Sequence, residues 1–182
     1  MLQTAIFLAN GFEEVEALSV VDLLRRAEIE VLMVSVTGKK EVTGAHSICV
    51  FTDCLLEELD FKKISMMILP GGMPGTKNLA ETPLLIEKLL EFHNRNKDIS
   101  AICAAPSILG KMGILQGKKA CCYPGYENEL KGAAIMTEDA VTDGNIITSR
   151  GVGTALSFAL AIIEKMKGKR ETTELARAIL HE

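Results

Sequence analysis

The sequence contains no tryptophan, and aromatic residues make up only 4% of its 182 residues. A hydrophobic core built from this chain must therefore be mainly aliphatic. The hydrophobic fraction of 48% is sufficient for one globular domain with a substantial core, and we expect that domain to span residues 1–182.

Three functional classes lack their usual signals. The net charge is −4, and no basic stripe is present to neutralise phosphates, so no nucleic-acid partner is expected. Every apolar run is too short to cross a bilayer, so no membrane partner is expected either. The N-terminal residues lack the basic start, long apolar segment and cleavage site of a signal peptide. These absences predict a cytoplasmic location.

Metal-binding and disulfide patterns are also missing. The five cysteines are an odd number, which argues against a disulfide framework in a chain without a signal peptide. No Cys-x-x-Cys pair occurs, so none of the three histidines lies near such a pair at the spacing of zinc ligands. The sequence therefore predicts neither a metal nor any other cofactor.

Apolar, β-prone segments alternate with helical patterns along the chain. The strand patterns cover residues 3–9, 30–36, 64–69, 99–103 and 145–149, with extended pieces within 42–52 and around 120, 133 and 140. The helical patterns cover residues 13–27, 55–59, 83–94, 106–112, 153–166 and 172–180. This alternation predicts an α/β fold with a mostly parallel sheet covered by helices on both faces. In such folds ligands bind beyond the carboxyl ends of the strands.

Cys103 stands where a predicted strand ends and a predicted helix begins at Pro106. A cysteine on such a turn resembles a nucleophile elbow, with sulfur in place of the serine oxygen. The N-terminus of the helix favours a thiolate, so we expect the pKa of Cys103 to fall below its ordinary value. A buried cysteine that merely closes a strand fits this segment equally well.

The second motif is the glycine pair Gly71 and Gly72, which follows the strand expected beside that of Cys103. Glycine allows the backbone to approach a ligand closely. The backbone N–H groups of Gly72 and Ala104 are therefore candidates for an oxyanion hole. A Gly-Gly pair alone is weak evidence, because most such pairs mark turns.

The third motif is Glu13-Glu14-Val15-Glu16. We expect Glu13 and Glu14 to be solvated charges at the start of a helix. Glu16 differs, because it is in register with the apolar stripe formed by Val20, Leu23 and Ala27. An inward-facing carboxyl group has a raised pKa, and in its protonated form it could donate to a thiolate or relay a proton. An exposed glutamate at the helix edge is the alternative interpretation.

The segments NGFEEVEA, ILPGGMPG, SAICAAPSIL and TSRGVGTALSFAL together resemble the ThiJ/PfpI superfamily, in its DJ-one/YajL-like branch. The resemblance covers essentially the whole chain. It implies a flavodoxin-like three-layer α/β sandwich that functions as a homodimer with its site near the dimer interface. It also implies Cys103 as the reactive nucleophile, Glu16 as its acidic partner, and Gly72 and Ala104 as oxyanion donors, with Gly71 in support.

The chain departs from parts of the superfamily at several positions. The proteolytic branch has a histidine directly after the nucleophile, where this chain has Ala104, so a protease or amidase is the less favoured reading. Some members have a histidine where this chain has Tyr123, which is a poor base near neutral pH. His46 matches a basic position that the partner subunit offers to the site in some relatives, although an ordinary loop histidine fits as well. Arg150 could order the site or the dimer, or form a surface ion pair.

The resemblance implies one of two functions for the Cys103 thiol. One is glutathione-independent conversion of small 2-oxoaldehydes such as methylglyoxal, or removal of early glycation adducts, without a cofactor. The other is a non-enzymatic redox-sensing or chaperone-like role through oxidation of Cys103. Both use the same thiol, so they are not exclusive.

Overall fold

The structure is a computed structural model and describes residues 3–181. Its strands are β1 (Gln3–Leu8), β2 (Val31–Ser35), β3 (Glu41–Thr43), β4 (Cys49–Phe51), β5 (Cys54–Leu55), β6 (Ile64–Leu69), β7 (Asp98–Ile102), β8 (Lys119–Ala120), β9 (Ala134–Ile135), β10 (Ala140–Asp143) and β11 (Ile146–Ser149). Its α-helices are α1 (Glu14–Arg26), α2 (Gly75–Ala80), α3 (Pro83–Asn94), α4 (Pro106–Lys111), α5 (Ala155–Lys167) and α6 (Lys169–Ala178).

A seven-stranded sheet forms the centre of the fold, with the order β10-β11-β7-β6-β1-β2-β5. Only the β10–β11 pairing in this sheet is antiparallel. Without the short edge strands β5 and β10, the sheet order from one edge is β2-β1-β6-β7-β11. Counted by their place in the chain, these five parallel strands have the order 2-1-3-4-5. That is the flavodoxin-like arrangement, in which ligands bind at the switch point beyond the first and third strands.

The side chains of β1 alternate between two hydrophobic layers, as the period of two in a strand requires. Ile6 and Leu8 pack with apolar residues of α1 and α5 on one face of the sheet. Ala5 and Phe7 pack with apolar residues of α3 and α4 on the other face. The result is a three-layer α/β sandwich, as the sequence predicts.

The structure differs from the predicted elements in two places. Helix α2 occupies a segment for which the sequence patterns predict no element, and it begins three residues after Gly72. The helix expected over 55–59 is a single 3-10 turn at Leu56–Glu58, because Cys54 and Leu55 instead extend the sheet beside β2.

Strands β3 and β4 form an antiparallel hairpin outside the main sheet. Backbone hydrogen bonds fasten it to the loop before α1, from the N–H of Gly11 to the oxygen of Thr43 and from the N–H of Ala45 to the oxygen of Phe12, both at 2.8 Å. The hairpin therefore covers the N-terminus of α1. Within residues 3–181, none of the helices has the length and apolar character needed to span a bilayer.

Candidate active site

Cys103 lies directly after β7, at the carboxyl edge of the sheet, and has a φ of +66°. This left-handed conformation is unfavourable for a residue with a Cβ, and surrounding contacts must hold it. The Cys103 N–H donates to the Ser149 oxygen at 3.0 Å, and its oxygen accepts from the Tyr123 N–H at 2.8 Å. These bonds hold the thiol on a sharp strand-to-helix turn.

Glu16 reaches the same point from α1. It is fully buried, in agreement with its register on the apolar stripe of the helix. One carboxylate oxygen, Oε2, accepts the Gly71 N–H at 2.9 Å. The other, Oε1, is buried without a hydrogen-bond partner among the described residues. Oε1 lies on the side of Gly151, which lines the cleft above the thiol.

The Glu16 carboxyl group and the Cys103 thiol each shift the pKa of the other, so they titrate as a pair. Burial raises the pKa of Glu16 to about 7, although its interactions with Cys103 and with the Gly71 N–H oppose this shift. Burial, followed by the charge of Glu16, raises the pKa of the Cys103 thiol to about 12. The expectation of a lowered thiol pKa is therefore wrong, because burial beside a carboxylate outweighs the helix N-terminus.

Gly72 and Ala104 direct their backbone N–H groups at the Cys103 sulfur, which lowers the pKa of the thiol but does not overcome the opposing effects. Gly72 has a φ of +91°, and an added Cβ would lie 2.3 Å from the backbone nitrogen of Glu13. At Gly71 an added Cβ would lie 2.5 Å from the Cβ of Cys103. Both glycines are therefore required by the close approach of this turn to Cys103 and to the start of α1.

Glu13 and Glu14 are not solvated, and that prediction is wrong. Only 9% of Glu13 and 3% of Glu14 is exposed, because the β3–β4 hairpin covers the start of α1. The Glu14 carboxylate accepts the His46 N–H at 2.7 Å and the Ile48 N–H at 3.4 Å. Burial raises the pKa of Glu14, but the bonds from His46 and Ile48 outweigh burial and lower it overall.

His46 stands at the rim of the site in its own chain. Its Nδ1 lies 2.8 Å from Oε2 of Glu14 and 3.4 Å from Oε2 of Glu13. The hydrogen bond to Glu14 raises the pKa of the imidazole, with added contributions from the charges of Glu13 and Glu14. The His46 side chain is 68% exposed, so its ring can exchange protons with solvent while it stays close to Glu14.

A cleft of about 800 Å³ opens above Cys103. Its lining consists of Glu13, Val15, Glu16, His46, Gly72, Cys103, Tyr123, Pro124 and residues 150–154. A smaller cavity of about 390 Å³ lies beside α3 and contains no cysteine. The larger cleft is therefore the candidate active site.

Tyr123 and Arg150 both lie on the wall of this cleft. The Tyr123 ring packs against Gly151, where an added Cβ would be 3.2 Å from the ring. Arg150 donates to the Thr137 oxygen at 3.2 Å, and no carboxylate of the described residues lies within ion-pair distance of it. Gly151 and Val152 also line the cleft and were not predicted, although they lie in the same TSRGVGT segment as Arg150.

The fold and the site together define a class of protein: a flavodoxin-like α/β sandwich with a cysteine on a strained turn, paired with a buried glutamate. The chain belongs to the DJ-1/PfpI family, whose family model matches residues 3–165.

Three relatives illustrate this membership. The chain is 35% identical to Protein DJ-1 homolog B of Arabidopsis thaliana over 98% of its own length, but it spans only 41% of that longer protein. It is 32% identical to Glutathione-independent glyoxalase DJR-1.2 of Caenorhabditis elegans, over 92% of this chain and 89% of that protein. The structure of oxidized Toxoplasma gondii DJ-1 matches with a TM-score of 0.95 and 31% identity, covering 100% of this chain and 99% of that one.

Proposed function

We propose that this protein is a cysteine-dependent enzyme that converts small 2-oxoaldehydes to hydroxy acids without glutathione. The observation that carries the proposal is the Cys103–Glu16 pair beneath an open cleft, with the N–H groups of Gly72 and Ala104 directed at the sulfur. The family includes a relative named as a glutathione-independent glyoxalase, which supports this assignment.

The reaction begins from the pair after it has lost one proton. With the remaining proton on Glu16, the negative charge lies on sulfur, and the carboxyl group no longer opposes the thiolate. The sulfur attacks the aldehyde carbon and forms a C–S bond, while the carbonyl electrons move to oxygen. The N–H groups of Gly72 and Ala104 stabilise this oxyanion, which takes the Glu16 proton to form a hemithioacetal.

Glu16 then acts as a proton shuttle. Its carboxylate removes the proton from the former aldehyde carbon and delivers it to the neighbouring carbon, through an enediol. This step oxidises the first carbon to a thioester and reduces the second to an alcohol, so no external oxidant is needed. Water cleaves the thioester, releases the hydroxy acid and returns the proton to the pair. Glu16 Oε1, which has no partner among the described residues, is available for these transfers.

Methylglyoxal consumption with lactate detection, in the absence of glutathione, tests the proposal. We expect lactate formation by the wild type and its loss in both Cys103→Ala and Glu16→Gln. Cys54→Ala is a matched control, because Cys54 lies outside the cleft. Turnover that persists in Cys103→Ala or in Glu16→Gln would refute the mechanism. The same panel assayed on glycated amino acids tests the deglycase variant of the proposal.

Redox sensing is the second candidate function. Of the five free cysteines, Cys103 alone lines the cleft and lies beside both Glu16 and two N–H donors. Such a setting favours stepwise oxidation to a sulfinate that Glu16 can hydrogen-bond. Intact-mass analysis after mild peroxide should show oxygen added to Cys103 first. Random oxidation among the cysteines would contradict this role.

A homodimer forms part of the proposal, and exposed apolar side chains support it. Phe51 on β4 and Ile48 in the hairpin turn are 71% and 52% exposed, and Val15 and Val152 of the cleft wall are each 47% exposed.

Protease activity is not proposed, because Ala104 follows the nucleophile. The cytoplasmic location stays a prediction.

A further inference from the structure

The mouth of the cleft holds three potential metal ligands that the carbonyl chemistry does not use. One carboxylate oxygen each of Glu13 and Glu14 and a ring nitrogen of His46 lie within 4.8 Å of one another. We propose that this Glu13–Glu14–His46 cluster binds one divalent transition-metal ion of the zinc type at the rim of the active-site cleft.

The spacing of the donors suits such an ion. Zinc bonds of about 2.0–2.1 Å place tetrahedral ligand atoms about 3.3 Å apart. The distances from His46 Nδ1 to the carboxylate oxygens are 2.8 Å for Glu14 and 3.4 Å for Glu13. Small movements of the exposed imidazole would equalise them. Three protein ligands leave a fourth position for water.

Glu13 provides an independent reason to expect a ligand. It is nine-tenths buried and lines the cleft, yet its carboxylate accepts no hydrogen bond from the described residues outside the cluster. A metal ion held here would neutralise the negative charge that Glu13 and Glu14 place together beside the cleft. Glu14, by contrast, is already oriented by the N–H groups of His46 and Ile48, as a metal ligand requires.

The donor chemistry selects the class of ion. An imidazole nitrogen with two carboxylates favours zinc and its neighbours over magnesium or calcium, which prefer oxygen ligands alone. Binding replaces the proton that His46 Nδ1 shares with Glu14, so that proton is released to solvent as the nitrogen–metal bond forms. No electron transfer takes place. The proposal is independent of the carbonyl chemistry, because its test measures binding rather than turnover.

Calorimetric titration of the metal-free full-length protein with zinc chloride tests the site. The titration uses a Cys103→Ala background, so that the reactive thiol cannot be the ligand. We expect one zinc ion per chain, with binding weakened at least about tenfold by His46→Gln or Glu13→Gln. The matched control, His181→Gln, should bind like its parent. Binding that survives His46→Gln, or that occurs only when Cys103 is present, would overturn the proposal.

Proton NMR of the histidine rings provides a second measurement. The chain has three histidines, and the ring resonances absent from His46→Gln identify His46. Zinc should shift those resonances at one equivalent and leave the other two rings unchanged. A shift confined to another histidine, or no shift at all, would also overturn the proposal, and circular dichroism verifies that each variant is folded.

Discussion

At the scale of single residues, the function depends on where one proton resides. Glu16 and Cys103 are each costly to ionise in this setting, since burial is the largest cause of both pKa shifts. Once the pair has lost a proton, the remaining charge can lie on oxygen or on sulfur. The N–H groups of Gly72 and Ala104 favour the sulfur, and the protonated Glu16 can donate to it. The glutamate therefore makes the thiolate accessible by retaining the proton itself.

The reactivity of Cys103 should follow the titration of this pair. Because the pair loses its first proton near the Glu16 pKa of about 7, alkylation of Cys103 by iodoacetamide should rise with pH around that value. In Glu16→Gln no carboxyl group is left to take up the proton, and the charge that raises the pKa of the Cys103 thiol is also gone. The step near pH 7 should therefore disappear from the alkylation profile, which should rise once, at the pKa of the thiol alone. Peptide mass analysis distinguishes Cys103 from the other cysteines, and an unchanged profile in Glu16→Gln would contradict the coupling.

Glu16 should also make folding stability depend on pH. Its pKa is raised from 4.5 to about 7 in the folded protein, so the folded state binds its proton more tightly than the unfolded state. The contribution of Glu16 to stability is therefore retained below pH 4.5 and lost as the pH rises through 7. Glu16→Gln avoids this loss and should be more stable than wild type at pH 8, by up to about 3 kcal/mol. Urea denaturation at pH 4.5 and pH 8 measures the difference, which should nearly vanish at the lower pH.

At the scale of secondary-structure elements, the β3–β4 hairpin determines the electrostatics at the start of α1. Its turn supplies N–H donors to Glu14, and Gly44 allows the close approach, since an added Cβ there would overlap the Glu14 carboxyl group. This contact positions His46 and the nearby Glu13 at the cleft. The hairpin and the helix thus act as one unit around the site.

Removing the Glu14 carboxylate should loosen this unit. Glu14→Ala leaves the N–H groups of His46 and Ile48 without their acceptor, and we expect a loss of about 2–4 kcal/mol in the free energy of unfolding. Urea denaturation measures the loss. Glu57→Ala is the control, because Glu57 is exposed and should change stability by less than about 0.5 kcal/mol. Equal stability of the two variants would show that the hairpin does not depend on Glu14.

Features of the site that have a local cause could be predicted from the sequence, whereas features that depend on tertiary packing could not. The strand leading to Cys103 and the inward face of Glu16 could be predicted, because both are expressed in local periodicity. The burial of Glu13 and Glu14 could not, since a hairpin about thirty residues away in the chain covers them. The raised pKa of Cys103 was missed for a similar reason. The helix N-terminus is visible in the sequence, whereas the charge of Glu16 beside the sulfur depends on how α1 packs against the sheet.

At the scale of the whole molecule, several exposed apolar side chains lie beside the cleft. Ile48 belongs to the hairpin turn held by Glu14, and Val15 and Val152 line the cleft itself. An apolar surface of this kind next to a functional site is typical of an interface. A second copy of the chain placed here would lie close to the Cys103 site, as the family resemblance implies.

Charge placed on this surface should therefore separate the subunits of the proposed dimer. Phe51 is 71% exposed, and in the proposed dimer Phe51→Glu would bury a carboxylate at the interface, which is unfavourable. Light scattering coupled to size-exclusion chromatography should give a dimer for wild type and a monomer for Phe51→Glu. Leu90→Glu is the matched control, because Leu90 is an exposed leucine on α3, in the helix layer opposite α1. This variant should remain dimeric.

A monomeric wild type would reject the dimer outright, and a dimeric Phe51→Glu would place the interface on another surface. If the interface adjoins the cleft, the monomeric variant should also show altered alkylation of Cys103 while its fold, followed by circular dichroism, is unchanged.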